Sequence, residues 1–142
     1  MDLLALLPVS ILALTETWLD AALTDTINIA GYQLVHKSRT TGRGGGVGLL
    51  IGEGITFQLI ELSLNNLAPK TFEGIFIRAS MEKDNCLLGA IYRPPGSGLE
   101  KFCLELDQLL SKIVRKEKHI IIMGDFNIDL LRVEDHCGTS FF

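Results

Sequence analysis

The sequence predicts a single α/β domain, and three observations lead to that expectation. The chain has 142 residues, enough for one domain with a substantial core. Short apolar runs alternate along it with turn signals, which is the pattern of successive β-strands. The segment from Leu99 to Lys118 has apolar residues at the three-to-four spacing of an amphipathic helix. We therefore expect residues 1–142 to form one domain, with many strands and one long helix.

Composition narrows the class of protein. Hydrophobic residues make up 47% of the chain, which excludes a disordered tail. The net charge of −4 does not indicate nucleic-acid binding, although a local basic groove and a metal can still engage DNA. Cys86, Cys103 and Cys137 are odd in number and form no CxxC, so neither a disulfide framework nor a zinc site is indicated. A reducing compartment fits this cysteine pattern best.

The apolar N-terminus, MDLLALLPVSILAL, has two interpretations. The first is a secretory signal peptide, but Asp2 stands where a basic residue is expected, Pro8 interrupts the run, and no A-x-A site follows. The run is also too short to span a bilayer. We favour the second interpretation, a helix end from Asp2 to Leu7, a break at Pro8 and a buried strand from Ser10 to Leu14. An intracellular protein without a membrane partner is then expected.

The other strands are predicted from apolar runs that turn signals delimit. They cover residues 31–36, 47–51, 55–62, 71–79, 86–92 and 119–123. The last of them, HIIIM, is apolar on both faces and is therefore predicted to be a central strand.

The glycine-rich segment TTGRGGG at residues 40–46 does not match the known phosphate-binding loops. It has neither G-x-G-x-x-G nor Gly-Lys-Ser/Thr, and it leads into a strand and not into a helix. We expect a turn that feeds a strand, with close backbone packing at Gly48.

The stretch HIIIMGDFNIDLL places polar residues directly after an apolar strand. Gly124 permits a tight turn or a close backbone approach. Asp125 and Asn127 share a face if extended geometry continues, and Phe126 then turns into the core. A carboxylate can take a proton from water, and an amide can hold that water or a phosphate oxygen, so the pair suits phosphate-ester hydrolysis. The alternative is an Asx-type turn, which these residues form readily.

Two other strands also end in polar groups. In LALTETWL an apolar strand runs into Glu16 beside Trp18, and one carboxylate suits Mg²⁺, which keeps most of its waters. In LLGAIYRPP, Tyr92 and Arg93 follow a third strand, and both can stabilise a phosphate electrostatically. Each residue alone has a simpler interpretation, an exposed glutamate, a strand-end aromatic or a surface arginine. Because all three strands end in residues that suit binding of a metal or a phosphate, we favour a single site formed by the three strand ends.

These motifs occur in the order TETWL, GYQLVHKSRTTGRGGGVGLLI, FEGIFIRA, GAIYRPP and HIIIMGDFNIDLL. In that order the chain from Leu12 to Leu131 resembles the endonuclease/exonuclease/phosphatase superfamily. It looks most like the apurinic/apyrimidinic-like endonuclease domain of non-LTR (LINE-type) retrotransposon polyproteins. ETWL, YRPP and GDFN are specific together, although each alone is weak. The resemblance implies a four-layer α/β sandwich, with two mixed β-sheets face to face, helices outside and catalytic side chains at one edge.

The resemblance also implies an activity, a Mg²⁺- or Mn²⁺-dependent phosphodiesterase that nicks DNA. Glu16 matches the metal-binding glutamate, Asp125 the aspartate that orients or deprotonates the attacking water, and Asn127 the phosphate-contacting asparagine of GDFN. Tyr92 matches the tyrosine that contacts the scissile phosphate, and Arg93 lies in the same motif. A nuclear location, a monomeric domain and a parent polyprotein with reverse transcriptase are further implications.

The sequence departs from the family pattern at both ends. Family members begin with an Asn-bearing strand and finish on Ser-Asp-His, so a partial sandwich without the first and the C-terminal strands is expected. The pair Asp135-His136 follows Asn127 by only nine residues, which leaves no room for the intervening strands, so a loop is expected there. Two alternatives stay open, a catalytically dead retroelement fragment and an unrelated α/β binding module.

Several charged residues are given simpler interpretations. His36, Lys37, Arg39 and Arg43 form a small basic cluster, for which a solvated loop is favoured over contact with a DNA backbone. Glu73 lies on an alternating strand and is expected to be exposed or hydrogen-bonded within the sheet, without a catalytic role.

Overall fold

Two β-sheets and one helix make up the part of the chain that the computed structural model describes, residues 9–20, 22, 26–39, 43–62, 68–80, 84–115 and 117–129. The first sheet contains β1 (Ile11–Thr15), β2 (Tyr32–Lys37) and β3 (Val47–Gly52) in the order β1-β3-β2, and both of its pairs are antiparallel. The second sheet contains β4 (Phe57–Leu59), β5 (Glu73–Ser80), β6 (Asn85–Tyr92) and β7 (His119–Asp125) in chain order. The helix α1 (Leu99–Ile113) connects β6 to β7, which are parallel.

The central strand of the first sheet, β3, is the most buried of its three strands. Its sequence VGLLIG is apolar without alternation, as expected for a strand that is covered on both faces. Gly48 allows the close packing that the sequence predicts, because a methyl group there would lie 3.3 Å from the carbonyl oxygen of Val35.

The two sheets pack face to face through alternate side chains of their strands. On the second sheet, the residues of β5 and β6 that face the first sheet are Ile75, Ile77, Ala79, Cys86, Leu88, Ala90 and Tyr92. They contact Val47, Leu49 and Ile51 of β3 in one buried cluster. The intervening side chains of β5, β6 and β7, which are Phe76, Leu87, Ile91 and Ile122, face α1, so these three strands contribute to two apolar layers.

The helix α1 covers the outer face of the second sheet. Phe102, Leu109 and Ile113 are its buried residues, at the spacing predicted from the sequence. The Phe102 ring meets the Phe72 ring edge to face at 5.4 Å. The predicted α/β class, with two packed sheets and a helix outside, is confirmed. The predicted helix Asp2–Leu7, the loop at Asp135-His136 and Cys137 lie outside the described residues.

The helix is shorter than the sequence predicts, since it ends at Ile113 and not at Lys118. Val114 is extended, and the Glu117 carboxylate accepts a hydrogen bond from the Arg115 N–H at 2.6 Å. Glu117 also forms an ion pair with Arg78 of β5. A local hydrogen bond and a tertiary ion pair therefore hold Glu117 where the sequence predicts the last turn of helix.

The position of β7 also differs from the prediction. It pairs with β6 on one side only within the described residues, so it is an edge strand and not a central one. Ile120 and Ile121 are each 46% exposed. Apolar residues on both faces predict that a strand is covered, but they do not specify which strands pair with it. No helix in the described part of the chain is long and apolar enough to cross a membrane.

Candidate active site

One row of polar side chains crosses three strands of the second sheet. The antiparallel register places Glu73 of β5 opposite Tyr92 of β6, and the parallel register places Asp125 of β7 opposite the same tyrosine. By the alternation of side chains along each strand, all three residues lie on the face of the second sheet that packs against the first sheet. Because neighbouring strands lie about 4.8 Å apart, Glu73 and Asp125 flank Tyr92 at the end of the sheet where β6 and β7 finish.

Glu16 meets this row from the opposite sheet. It follows directly after β1, and its carboxylate lies close enough to the Tyr92 hydroxyl to interact with it. Its Oε2 also accepts hydrogen bonds from the Trp18 indole N–H at 2.7 Å and from the backbone N–H of Gly45 at 3.1 Å. The structure therefore brings Glu16 and Tyr92 into contact, with Asp125 on the strand beside Tyr92.

The contact between Glu16 and Tyr92 shifts both pKa values. The nearby Tyr92 hydroxyl is the largest influence on Glu16 and lowers its pKa; burial opposes this shift, and the N–H groups of Gly45 and Trp18 reinforce it. The nearby Glu16 carboxylate, together with burial, raises the pKa of Tyr92. At neutral pH the carboxylate is therefore ionised and the phenol keeps its proton, so one group can bind a cation while the other donates a hydrogen bond.

The glycine loop binds protein carboxylates. The N–H of Gly45 donates to Glu16, and the N–H of Gly46 donates to Glu73 at 2.6 Å. Arg39 forms an ion pair with Glu73, and its guanidinium also donates to the carbonyl of Arg43 at 3.2 Å. These two N–H groups are thus engaged within the protein, which agrees with the interpretation that the segment is not a phosphate-binding loop.

Glu73 and Arg39 are the two site residues that the sequence analysis missed. Glu73 is half-buried and contacts the glycine loop. Arg39 forms an ion pair with Glu73, and its guanidinium carbon lies 5.7 Å from the centroid of the Tyr92 ring. Arg39 therefore does not belong to a solvated cluster, which the sequence analysis favours. One signal was available, because Glu73 is in phase with Ile75 and Ile77 in the alternating strand. An acidic residue on the buried face of a strand usually has a charged partner or a function.

Backbone strain coincides with two of the sequence motifs. Glu16, Trp18 and Asn127 have φ angles of 52°, 55° and 47°, and no other non-glycine residue in the described ranges has a positive φ. Such conformations cost energy and persist where the surrounding structure imposes them, commonly at functional sites. Two of these residues belong to TETWL and the third to GDFN.

The GDFN segment forms a tight, hydrogen-bonded turn. Asp125 Oδ1 accepts the backbone N–H of Asn127 at 2.9 Å, and Asp125 Oδ2 accepts the Asn127 side-chain amide at 3.2 Å. That amide also donates to the carbonyl of Arg93 at 2.8 Å. Phe126 packs towards α1, as predicted. The Asx-type turn that the sequence left as an alternative is therefore present, and it fixes the Asp125 carboxylate.

Arg93 is turned away from the rim of the site. Its side chain is buried, with 7% of the residue exposed, and one guanidinium nitrogen donates to the carbonyls of Phe126 at 3.0 Å and Asn127 at 2.9 Å. A second nitrogen donates to the carbonyl of Ser97, and the group stands 5.7 Å from the Phe102 ring centroid. These contacts place Arg93 beneath the GDFN turn, and the phosphate contact suggested by the sequence stays a prediction.

The donors at this rim suit a hydrated Mg²⁺ ion. No group of three or more His, Cys, Asp or Glu side chains in the described ranges is arranged to hold a metal. Mg²⁺ does not require such a group, because it binds through one or two carboxylates and keeps several waters. Glu16, exposed, ionised and with a lowered pKa, provides one such carboxylate at the rim.

Two packed sheets with strand-end acids and a phenol at a shared rim define an α/β sandwich with a polar candidate site at one edge. The sequence matches the model of the Endonuclease/Exonuclease/phosphatase family over residues 1–135, and the chain belongs to that family. An unrelated binding module is thereby excluded.

The fold is similar to that of a crystal structure of humanized D. rerio TDP2 with 14 mutations, with a TM-score of 0.62 and 16% sequence identity. The match covers 96% of this chain and 57% of that one, so the chain spans somewhat more than half the length of that structure. No match was found among the curated proteins.

Proposed function

We propose that this chain is part of a Mg²⁺-dependent phosphodiesterase that cleaves the DNA backbone. One observation supports the proposal above the others. A carboxylate from the first sheet, Glu16, contacts the Tyr92 phenol of the second sheet, and Asp125 lies next to that phenol on the adjacent strand. Membership of a family of nucleases and phosphatases supports the same reaction class.

Each side chain has a role that follows from its surroundings. Glu16 is held ionised and would hold the metal, which when bound would stabilise negative charge on the phosphate. Tyr92 keeps its proton because its pKa is raised, so its hydroxyl can donate to a non-bridging phosphate oxygen. Asp125 accepts the proton of the attacking water, and Asn127 holds that carboxylate in one orientation through two hydrogen bonds.

DNA as the substrate, a nuclear location and a retroelement origin belong to the same proposal. They are supported by the order of the motifs ETWL, YRPP and GDFN, which resembles the LINE-type endonuclease domain. A monomeric domain within a longer polyprotein is part of that proposal.

Nicking of supercoiled plasmid in the presence of Mg²⁺ tests the proposal. Glu16→Gln and Asp125→Asn keep the shapes of the side chains and remove their charges, and each should reduce nicking by at least about 100-fold. Glu100→Gln and Asp107→Asn make the same chemical changes on the exposed face of α1 and should leave nicking unchanged. Equal nicking by all four variants would refute the assignment of the site.

The same assay can also support the alternative of a catalytically dead fragment. The exposed apolar edge of β7 in the described residues is consistent with a domain that keeps only part of the fold. In that case the folded wild-type chain would nick no faster than Asp125→Asn, and the activity proposed here would be wrong for this chain.

A further inference from the structure

Trp18 is exposed beside the candidate site, and several contacts hold it in place. It is the single tryptophan of the chain, and 59% of it is exposed. Its indole N–H donates to Glu16 Oε2 at 2.7 Å, and its backbone N–H donates to the carbonyl of Gly45 at 2.9 Å. Both the side chain and the main chain of Trp18 are therefore anchored, although the ring gains little from burial.

The surroundings of the ring explain its orientation. A methyl group on Gly44 would lie 3.1 Å from the ring atom Cζ2, so the indole packs directly on the glycine backbone. The Arg43 guanidinium stands 5.6 Å from the ring centroid, within cation–π range. Since Trp18 also has a positive φ of 55°, the structure tolerates local strain and keeps a large apolar surface in solvent.

This arrangement suits an unpaired nucleotide. A flat, exposed aromatic ring stacks on a base whatever its sequence, and stacking of this kind is a major source of affinity for single strands. A neighbouring guanidinium can bind the phosphate on either side of that base. A base inside a duplex does not offer its face to a ring, so the occupant must be single-stranded or locally opened.

We propose that Trp18 and Arg43 form a stacking platform for an unpaired nucleobase next to the scissile phosphate. The inference rests on the proposed function, because the hydrogen bond from the indole to Glu16 places the platform at the edge of the catalytic rim. It adds a preference for unpaired or opened DNA to the proposed phosphodiesterase activity.

Intrinsic fluorescence tests the platform directly, because the chain has one tryptophan. The wild-type chain is titrated in EDTA, so that no cleavage occurs, with a 12-nucleotide single strand, a blunt duplex of the same sequence and an abasic strand of the same length. We expect saturable quenching by the single strand, with little quenching by the duplex or by the abasic strand. Equal quenching by the abasic strand would show that phosphate binding alone is detected and would overturn the proposal.

Anisotropy of a labelled single strand provides the second measurement, for variants that lack tryptophan fluorescence. Trp18→Ala should weaken binding by about 5- to 150-fold, and Trp18→Phe, which keeps an aromatic face but loses the N–H, should stay within about threefold of wild type. Leu104→Ala removes another exposed apolar side chain, on α1, and should have no effect. Unchanged binding by Trp18→Ala would overturn the proposal.

The two proposals can fail separately. Quenching and anisotropy are measured without metal, so a platform can be present in a chain that does not nick DNA. Conversely, Mg²⁺-dependent nicking with no quenching by any single strand would support the phosphodiesterase and refute the platform.

Discussion

Replacement of Arg93 by alanine should destabilise the protein far more than replacement of an exposed arginine. The guanidinium donates to three backbone carbonyls, those of Ser97, Phe126 and Asn127, from a buried position. A hydrogen bond to a charged group contributes about 1.5–3 kcal/mol, and part of that loss is recovered when water reaches the freed carbonyls. We therefore expect the free energy of unfolding to fall by about 3–4 kcal/mol.

Thermal and urea unfolding measure this loss. For a domain of this length, each kcal/mol corresponds to roughly 4 °C, so the melting temperature should fall by about 12–16 °C. Arg115→Ala is the control, since Arg115 is exposed, and it should change stability by less than about 0.5 kcal/mol. Arg93→Lys should be intermediate, because an ammonium group cannot reach carbonyls on two sides as a planar guanidinium does.

The same variants separate a positioning role from a phosphate contact. If Arg93 only supports the GDFN turn, nicking by Arg93→Lys should recover at low temperature, where the turn is ordered. A melting temperature for Arg93→Ala within about 2 °C of wild type, together with lost activity, would refute our assignment and restore the phosphate contact.

Three further predictions concern other parts of the site. Gly124→Ala should cost about 3 kcal/mol or more in urea unfolding, because φ is 143° and a methyl group there would overlap the carbonyl of Ile91; Gly96→Ala, at a φ of 85° in open space, should cost only about 1 kcal/mol. Glu73→Gln should reduce Mg²⁺-dependent nicking by about tenfold by loosening the loop that contacts Glu16, whereas Glu105→Gln, which breaks contacts to Thr71, should not; equal losses would contradict a specific role. Because the pKa of Glu16 is lowered, its contribution to stability is present above its ordinary value of 4.5 and is lost as the pH falls through the lower folded value. The melting difference between wild type and Glu16→Gln should therefore be constant from pH 5 to 7 and shrink at lower pH, and a difference that grows on acidification would show the opposite sign of shift.

The local features of the fold could be predicted because they depend on local pattern. The alternation in TFEGIFIRA predicts β5 and its buried face, and the three-to-four spacing from Leu99 predicts α1. Element ends are less well predicted, since Val114 leaves the helix under the influence of the Arg78–Glu117 ion pair from a distant strand. Contacts between residues far apart in sequence leave no periodic signal.

The candidate site also contains residues that local sequence predicts and residues that only the tertiary structure reveals. Glu16, Tyr92 and Asp125 could be proposed because each follows an apolar strand, and strand ends are rigid places for functional groups. The Arg39–Glu73 pair and the inward turn of Arg93 depend on which strands become neighbours, and the pairing of β5 with β6 is not encoded in either motif alone. Chemistry at strand ends is thus easier to predict than the contacts that support it.

The arrangement of the supporting contacts couples the two sheets. Glu16 belongs to the first sheet and Tyr92 to the second, and the glycine loop joins both through Gly45 on Glu16 and Gly46 on Glu73. A shift of one sheet relative to the other would break the Glu16–Tyr92 contact and at least one of these two N–H bonds together. Packing of the apolar layer between the sheets therefore sets the geometry of the rim, and a cavity made far from it, as by Ile77→Ala, should lower nicking as well as stability. A loss of stability from Ile77→Ala without any change in nicking at a temperature where the protein is folded would show that the rim is held by its own hydrogen bonds alone.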